Sequence, residues 1–525
     1  MRKVKGGEVA NAVGAAISRV SGVVDTVVDT SQHSLKQAQE TVATSAIDAA
    51  VMNGARRDTV QIAEVTVLPI QYVDAKARIV VRAVGVLDVV KLSEEGMSSA
   101  MTLPKKTQQS VGQAAVVEPD SRAPSEDIKI QQYRPHIEKG QWIISAIDLE
   151  WIASGCKVLG CGGGGDPYQQ YLKIKSIVEK SPGAIKVISP VDLPEGSTIG
   201  WTGCMGSPEV SMERMEADEC NRAHDELIRV MQLPPVDGFL ALEIGGGNGM
   251  VNLEVAAAHG VPCVDADYMG RAYPTYWQTT INVYGTARGE ALVPATIASG
   301  DGSFMTMTAS RTDKLVDSAL RAATVEMGCR AGKAGPPKPA RVVQEQAILN
   351  TVSLAWWIGR AIALERNIAD RAHRIVESVG GSGSARVLAE GKITNVERVL
   401  RTGHTYGIVE IDGVLNDGST ATIKIPFKNE NAFVEAVGAD GAVSILASVP
   451  DLIVVLDLET GSGLGTPEYK YGLKVAIIAI AASPRWTDTP RGLELGGPAS
   501  MGFGDVQYVP IGTYTMPRSV IETYS

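Results

Sequence analysis

The chain has 525 residues, of which 44% are hydrophobic and 21% are charged, and its formal net charge is −10. This length predicts at least two hydrophobic cores, and this composition is typical of a globular protein. Because the net charge is negative and the sequence contains no long run of Lys and Arg, we expect no nucleic-acid partner. The N-terminus lacks the apolar stretch of a signal peptide, and the apolar segment 347–364 contains Asn350 and Arg360, so no membrane span is expected. Six cysteines without CxxC spacing favour a reducing cytoplasm.

The first ninety residues predict a small α+β fragment of two helices followed by two strands. Residues 9–20 and 34–53 have small and apolar residues at helical spacing, whereas 59–69 and 77–90 are rich in β-branched residues. Residues 91–139 then shift to Ser, Gln, Lys, Pro and Glu, a composition typical of a solvated linker.

Residues 140–380 predict a mostly parallel α/β domain, because strand-like and helix-like segments alternate. Its first part predicts a helix over 142–154, a short strand over 157–159 that ends at a glycine-rich turn, and a helix over 168–180. Its second part predicts two strands and an intervening helix, over 238–244, 261–267 and 252–259. Ligands of such domains bind beyond the carboxyl ends of the strands, so we expect the functional site there.

Residues 381–525 predict a β-rich domain. Asp-Gly, Asn-Asp-Gly and Gly-Ser-Gly turns separate its short β-like runs. These runs cover 393–400, 407–415, 419–427, 452–458 and 473–482.

A glycine run is the first candidate site motif. It places Gly162, Gly163, Gly164 and Gly165 between Cys161 and Asp166. Such a run lets backbone N–H groups approach a ligand closely, although a tight turn with Asp166 as helix N-cap is the alternative. The motif is not GxGxxG, so we expect no nucleotide site in this chain.

A second glycine run, from Glu243 to Asn248, follows about eighty residues later. We interpret the two runs as two walls of one small-molecule site. Glu243 and Asn248 could hold the N–H and C=O edge of a ring amide, or they could only close a turn.

Two aspartates and two cysteines complete the candidates. Strand alternation puts Asp265 and Asp267 on one side of a strand end, where they could bind a divalent metal such as Mg²⁺ or act as a coupled acid/base pair. Neutralisation of both by Arg271 is the alternative. Cys161 and Cys204 lie in glycine-rich loops that could stabilise a thiolate, and the alternative for both is a buried, inert thiol.

Several motifs occur in an order that resembles the DUF917 family, also called the S-methyl thiohydantoin desulfurase-like family. They lie within residues 158–167, 203–208, 243–248, 256–262, 265–272, 450–461 and 502–504. The resemblance covers about residues 140–514, although the family usually has threonine where Cys161 stands.

The resemblance implies hydrolysis of a five-membered cyclic amide, namely a hydantoin, thiohydantoin or oxoproline-like ring. The catalytic residues that we predict on this basis are Asp166, Glu243, Asp265, Asp267 and Cys161. The substrate-binding residues that we predict are Gly162, Gly163, Gly164, Gly165, Asn248 and Arg271, with the glycine N–H groups as oxyanion donors.

The first ninety residues resemble the C-terminal end of a hydantoinase A/oxoprolinase subunit, on the segments 8–17 and 21–25. Such subunits carry their nucleotide-binding residues near their own N-terminus, so we expect this chain to be the tail of a longer fusion. The alternative to an enzyme is a non-catalytic module that binds a small molecule or docks onto a hydantoinase B-type partner, and a homo-oligomer is also expected. A dinucleotide-dependent oxidoreductase is the third, weaker interpretation. The identity of the ring, the need for a metal and coupling to ATP stay open.

Overall fold

A computed structural model describes residues 19–29, 34–69, 76–86, 130–206, 217–285, 289, 291–401 and 403–525. The chain divides into two compact units, Met1–Pro124 and Ser125–Ser525. Within the described ranges, no helix is long and apolar enough to cross a membrane.

The first unit is a three-stranded antiparallel sheet with one helix, in the chain order strand, helix, strand, strand. Its elements are β1 (Arg19–Asp29), α1 (Leu35–Met52), β2 (Gln61–Pro69) and β3 (Lys76–Val86). Strand β3 lies between β1 and β2. The helix over 34–53 and the two later strands are thus confirmed.

The prediction of a helix over 9–20 is wrong for its last two residues, because Arg19 and Val20 begin β1. Residues 9–18 lie outside the described residues. The physical reason is an alternation of burial with a period of two. Ser21 and Val23 are exposed, whereas Gly22 is buried and Val20, Val24 and Val28 pack against the small core beneath α1, as in a strand with one buried face.

The second unit begins with a mixed sheet. Its strands are β4 (His136–Glu138), β5 (Gln141–Ile143), β6 (Lys186–Ile188), β7 (Thr198–Gly206), β8 (Gly238–Ala241), β9 (Cys263–Asp267), β10 (Ala295–Ala298), β11 (Phe304–Met307), β12 (Arg330–Ala334), β13 (Lys338–Pro339) and β14 (Ile348–Leu349). The main path runs β11-β10-β12-β7-β8-β9-β6-β5-β4. The four central strands β7, β8, β9 and β6 pair in parallel, whereas the flanking strands are antiparallel. The expected α/β class is confirmed, with its parallel strands at the centre of a mixed sheet.

Helices cover both faces of this sheet. They are α2 (Ala146–Leu159), α3 (Tyr168–Lys180), α4 (Glu219–Met231), α5 (Asn248–His259), α6 (Thr280–Tyr284), α7 (Asp313–Glu326), α8 (Ala340–Gln346), α9 (Thr351–Leu364) and α10 (Arg371–Ser378). The helices predicted over 168–180 and 252–259 are confirmed.

The strand predicted over 157–159 is wrong, because these residues form the last turn of α2. A capping box between Ser145 and Asp148 starts this helix later than the sequence predicted, and β5 occupies residues 141–143 instead. Val158 and Leu159 are fully buried on the helix. The first glycine run therefore joins two helices. The strand β4 likewise falls inside the segment 91–139 that was interpreted as a linker.

Two glycines bring α2 and α9 into contact. A Cβ atom on Gly155 would lie 1.9 Å from the backbone oxygen of Ala355, and one on Gly359 would lie 1.8 Å from that of Trp151. Side chains larger than hydrogen are therefore excluded from both positions at this separation. This crossing fixes the end of α2, from which the glycine run starts.

The β-rich domain is an antiparallel sheet, as the turn pattern predicted. Its strands are β15 (Ala385–Arg401), β16 (His404–Leu415), β17 (Thr420–Lys428), β18 (Glu430–Asn431), β19 (Phe433–Gly438), β20 (Val443–Ser448), β21 (Leu452–Asp457) and β22 (Lys474–Ile480). Four short helices follow, namely α11 (Pro484–Thr487), α12 (Pro490–Gly496), α13 (Pro498–Met501) and α14 (Val520–Tyr524). The sheet order is β20-β19-β17-β16-β15-β22-β21, with β18 paired to β17. The two-residue strand β18 has the greatest importance for the site.

Candidate functional site

The loop that contains the first glycine run makes backbone hydrogen bonds to both domains. Asn431 and Thr466 of the β-rich domain donate backbone hydrogen bonds to the carbonyl oxygens of Cys161 (2.9 Å) and Gly162 (2.7 Å). The second glycine run donates to the other end, from Asn248 N to Gly164 O (3.3 Å) and from Gly247 N to Gly165 O (3.1 Å). The sequence prediction that the two glycine runs adjoin is therefore confirmed.

The backbone of this loop requires glycine. Gly162, Gly164 and Gly165 have φ values of +95°, +72° and +80°, which L side chains rarely adopt. The N–H of Gly163 donates to Gly160 O at 2.8 Å, and the backbone of Gly164 acts on the nearby Glu430 carboxyl by lowering its pKa. One of the four N–H groups predicted as oxyanion donors thus already has a backbone partner.

Glu243 lies buried at the second glycine run, as the sequence suggested. Its two carboxyl oxygens accept hydrogen bonds from Asn248 Nδ2 and from the backbone N–H of Tyr273, the latter at 3.1 Å. Asn248 Oδ1 accepts from the backbone N–H of Cys204 at 2.7 Å, which fixes the orientation of the amide. Burial raises the pKa of Glu243 to about 7, although both hydrogen bonds oppose the increase.

Glu430 is a second buried carboxyl, which sequence reasoning missed. It lies on β18, and a Cβ atom on Gly163 would lie only 2.0 Å from its Oε1. Among the described residues, Oε2 has no hydrogen-bond partner. Burial raises the pKa of Glu430 to about 8, and the nearby Glu243 carboxyl adds to this increase. One buried carboxyl from each domain therefore lies within electrostatic reach of the other, with Glu430 against the first glycine run.

The two carboxyls belong to a larger group of buried side chains with polar groups. We call it the interdomain polar cluster, and its members are Glu243, Tyr276, Arg321, Lys333, His404 and Glu430. Arg321 contacts the Asp317 carboxylate through Nε (3.3 Å) and Nη2 (3.2 Å), and Nη2 also donates to Pro274 O (2.9 Å). Its charge acts on Tyr276, Lys333, His404 and Glu430.

Lys333 and His404 are two strongly perturbed basic groups of this cluster. The side chain of Lys333 is fully buried, and its Nζ lies 3.5 Å from the centre of the Tyr276 ring. Within the described ranges, neither Lys333 Nζ nor the Tyr276 hydroxyl has a hydrogen-bond partner. Burial lowers the pKa of Lys333 to about 7, and burial together with the charge of Arg321 lowers that of His404 to about 3. Such a concentration of perturbed groups is typical of functional sites.

Asp265 and Asp267 are both buried, but each has its own structural partners. Asp265 accepts hydrogen bonds from the backbone N–H (3.0 Å) and the hydroxyl (2.5 Å) of Ser353 on α9. Asp267 Oδ2 accepts from the backbone N–H groups of Ile244 (2.9 Å) and Gly270 (2.6 Å). Burial raises the pKa of Asp265 to about 6 and that of Asp267 to about 7. In this arrangement the aspartates attach α9 and the second glycine run to the end of β9.

Arg271 binds backbone carbonyl groups rather than these aspartates. It donates to the oxygens of Ala272 (3.1 Å), Asp451 (2.7 Å) and Asn431 (3.0 Å), and its guanidinium carbon lies 5.1 Å from the Tyr273 ring centre. Since it makes no ion pair with either aspartate among the described residues, the alternative of mutual neutralisation is wrong. Arg271 instead connects the α/β domain to β18 and its neighbours.

The remaining predicted site residues lie at the edges of this arrangement. Cys161 is fully buried, and burial raises the pKa of its thiol. Both findings favour the alternative of a buried, inert thiol over a stabilised thiolate. Asp166 is exposed and accepts from Tyr168 N at 3.0 Å, while Pro167 rather than Asp166 is the N-cap residue of α3. Lys157 Nζ lies 3.7 Å from Asp166 Oδ2. A cavity of about 440 Å³ separates the loop from Pro467 and Glu468.

The described residues contain no group of three or more His, Cys, Asp or Glu side chains arranged to hold a metal ion. A divalent metal therefore stays a prediction. A further cavity of about 500 Å³ lies beside Arg271 and Thr351, with Ser483 and Tyr514 among its few polar residues.

The fold thus defines the second unit as an α/β domain and a β-rich domain that share one buried polar cluster. Models of one protein family match both halves, the S-Me-THD-like N-terminal domain over residues 147–309 and the S-Me-THD-like C-terminal domain over residues 311–511. The chain belongs to this S-Me-THD-like (DUF917) family, as its motifs indicated. The matches do not include the first ninety residues, whose resemblance to a hydantoinase A subunit stays a prediction.

A crystal structure of a protein from Chromobacterium violaceum has a similar fold, with a TM-score of 0.54 and 18% sequence identity. The similarity covers 70% of this chain and 99% of that chain. No curated protein matches the chain.

Proposed function

We propose that this protein hydrolyses a five-membered cyclic amide or thiohydantoin ring, with Glu243 and Glu430 as its acid/base pair. The observation that carries the proposal is the pair of buried carboxyls, one from each domain, in which the charge of Glu243 acts on Glu430 and Glu430 lies against Gly163. Their pKa values of about 7 and about 8 lie close to neutral pH, where a group can both take up and release a proton. The family name, S-Me-THD-like, supports a thiohydantoin as the ring.

The chemistry assigns a different task to each carboxyl. Glu243, the more acidic of the two, takes a proton from water as the water oxygen bonds to the ring carbon. Glu430 gives its proton to the leaving atom, which is the sulfur of a methylthio substituent or the ring nitrogen. The bond from carbon to that atom breaks, so the products are a thiol and a ring carbonyl, or an opened ring. Lys333 Nζ and the Tyr276 hydroxyl supply donors for the oxygen on which negative charge develops.

A substrate panel tests this proposal directly. S-methyl thiohydantoin, hydantoin and 5-oxoproline are each incubated with the protein, with and without chelator, and released thiol and opened ring are measured. Glu243→Gln and Glu430→Gln should each lower kcat by about 10²- to 10⁴-fold. Glu397→Gln, at an exposed position of β15, is the matched control and should leave kcat unchanged. Loss of activity in the presence of chelator would show that the reaction requires a metal ion, a question that the sequence left open.

The non-catalytic alternative makes the opposite prediction. If a ring compound binds without turnover and Glu243→Gln leaves its affinity unchanged, the protein is a binding module and the acid/base assignment is wrong.

The partner predictions belong to this proposal as well. The resemblance of residues 1–90 implies a hydantoinase B-type subunit as partner, and self-association is the other expectation. Size-exclusion chromatography with light scattering, alone and with such a subunit added, distinguishes the two from a monomer.

A further inference from the structure

Two cysteines lie in contact beside the interdomain polar cluster. Cys204, near the end of β7, and Cys220, in the first turn of α4, are 16 positions apart in the sequence, and their Sγ atoms are 3.7 Å apart. A disulfide bond holds its sulfurs at about 2.05 Å, so bond formation requires an approach of about 1.7 Å. The partial exposure of Cys204 gives a small oxidant access to the pair.

The other cysteines differ from this pair. Cys156, Cys161 and Cys263 are fully or almost fully buried, and burial raises the pKa of each thiol, to about 12 for Cys263. Cys329 is partly exposed, and its thiol contacts Val325 O at 3.8 Å. Buried thiols of raised pKa hold little thiolate, the form that reacts with oxidants.

We propose that Cys204 and Cys220 form a reversible disulfide when the protein meets a peroxide. Cys204 first attacks the peroxide oxygen, which produces a sulfenic acid on Cys204 and releases one water. The sulfur of Cys220 then attacks the sulfur of Cys204, the S–S bond forms, and the sulfenic oxygen leaves as a second water. Two thiols are oxidised and one hydrogen peroxide is reduced to two waters, so the step balances.

The position of the pair connects it to the candidate site. The backbone N–H of Cys204 donates to Asn248 Oδ1 at 2.7 Å, and the amide of Asn248 bonds the carboxyl of Glu243. A movement of Cys204 toward α4 lengthens the first of these hydrogen bonds and frees the Asn248 amide to turn. Oxidation therefore acts on the residue to which we assign the general base.

Peptide mapping of the native protein tests this inference without any substrate. The folded chain is treated with one equivalent of hydrogen peroxide, the remaining thiols are alkylated, and the digest is analysed by mass spectrometry. We expect a linked Cys204–Cys220 peptide, the loss of two alkylatable thiols, and full recovery of both with dithiothreitol. Cys329→Ser should give the same linked peptide, whereas Cys220→Ser should abolish it and leave Cys204 open to irreversible oxidation.

If Cys204 and Cys220 are both still alkylated, on separate peptides, after peroxide treatment, the inference is wrong. It is also wrong if the linked peptide forms only in denaturant. Because the mapping requires no turnover, its outcome is independent of the ring-hydrolysis proposal.

Discussion

Replacing Glu430 by glutamine removes an ionisable group from the interdomain polar cluster and keeps the size of the side chain. In the unfolded chain this glutamate ionises near pH 4.5, whereas burial keeps the folded carboxyl protonated up to about pH 8. Between these values the unfolded state has released a proton that the folded state retains. Stability of the wild-type protein therefore falls as the pH rises through this interval.

The size of the effect follows from the difference between the two pKa values. A difference of about 3.5 units at about 1.36 kcal/mol per unit gives at most about 5 kcal/mol, fully developed above pH 8. Glu430→Gln should therefore match the wild type near pH 4 and become progressively more stable than it toward pH 9.

Urea denaturation at a series of pH values, followed by tryptophan fluorescence, measures this difference. All seven tryptophans lie in the unit Ser125–Ser525, so the signal reports the unit that contains Glu430. Glu397→Gln, exposed on β15, is the control, and its curve should run parallel to the wild type. Parallel curves for Glu430→Gln and wild type would show that Glu430 ionises normally and would refute the acid assigned to it.

Three further substitutions test the packing of the site. Gly163→Ala should cost about 1 to 3 kcal/mol, because the new methyl group meets the carboxyl of Glu430, whereas Gly504→Ala, with open space at its Cβ position, should leave the denaturation midpoint unchanged. Gly359→Ala should cost at least as much, since its methyl group meets a backbone carbonyl of α2; an unchanged melting temperature would contradict the close crossing of α2 and α9. Arg271→Met should cost about 3 kcal/mol by leaving buried carbonyl groups without donors, and protection of the loop amides from hydrogen exchange should fall with it. Retained protection would show that Arg271 does not hold the domains together.

The sequence predicted those parts of the structure that depend on local pattern. Strands β8 and β9, helix α5 and the longer strands of the β-rich domain followed from apolar runs and turn residues. The short segment 157–159 was wrong, because a three-residue apolar run does not distinguish a strand from the last turn of a buried helix. The cap at Ser145, with an acid three residues later, is the signal that would have placed the start of this helix correctly.

The candidate site was predictable only on its α/β side. Glu243 and Asn248 stand beside glycines in the sequence, and the structure places them together. No sequence motif distinguishes Glu430, since Lys428-Asn-Glu-Asn431 has the composition of an ordinary polar turn. Glu430 and Gly163 are more than 260 positions apart in the sequence, and only the tertiary fold brings them together. Lys333 carried a weak signal, as one of two charges, with Arg330, in the small-residue strand β12.

The bonding of the glycine run explains why the site needs both domains. The carbonyls of Cys161 and Gly162 accept from the β-rich domain, and those of Gly164 and Gly165 accept from the second glycine run. Glu430 lies against Gly163. A loop that bonds in both directions at successive residues needs backbone conformations open to glycine alone. If the β-rich domain separates, the loop loses two backbone donors and Glu430 at once, while Glu243 and Asn248 keep their own hydrogen bond. Separation of the domains therefore removes the proposed acid and leaves the proposed base in place.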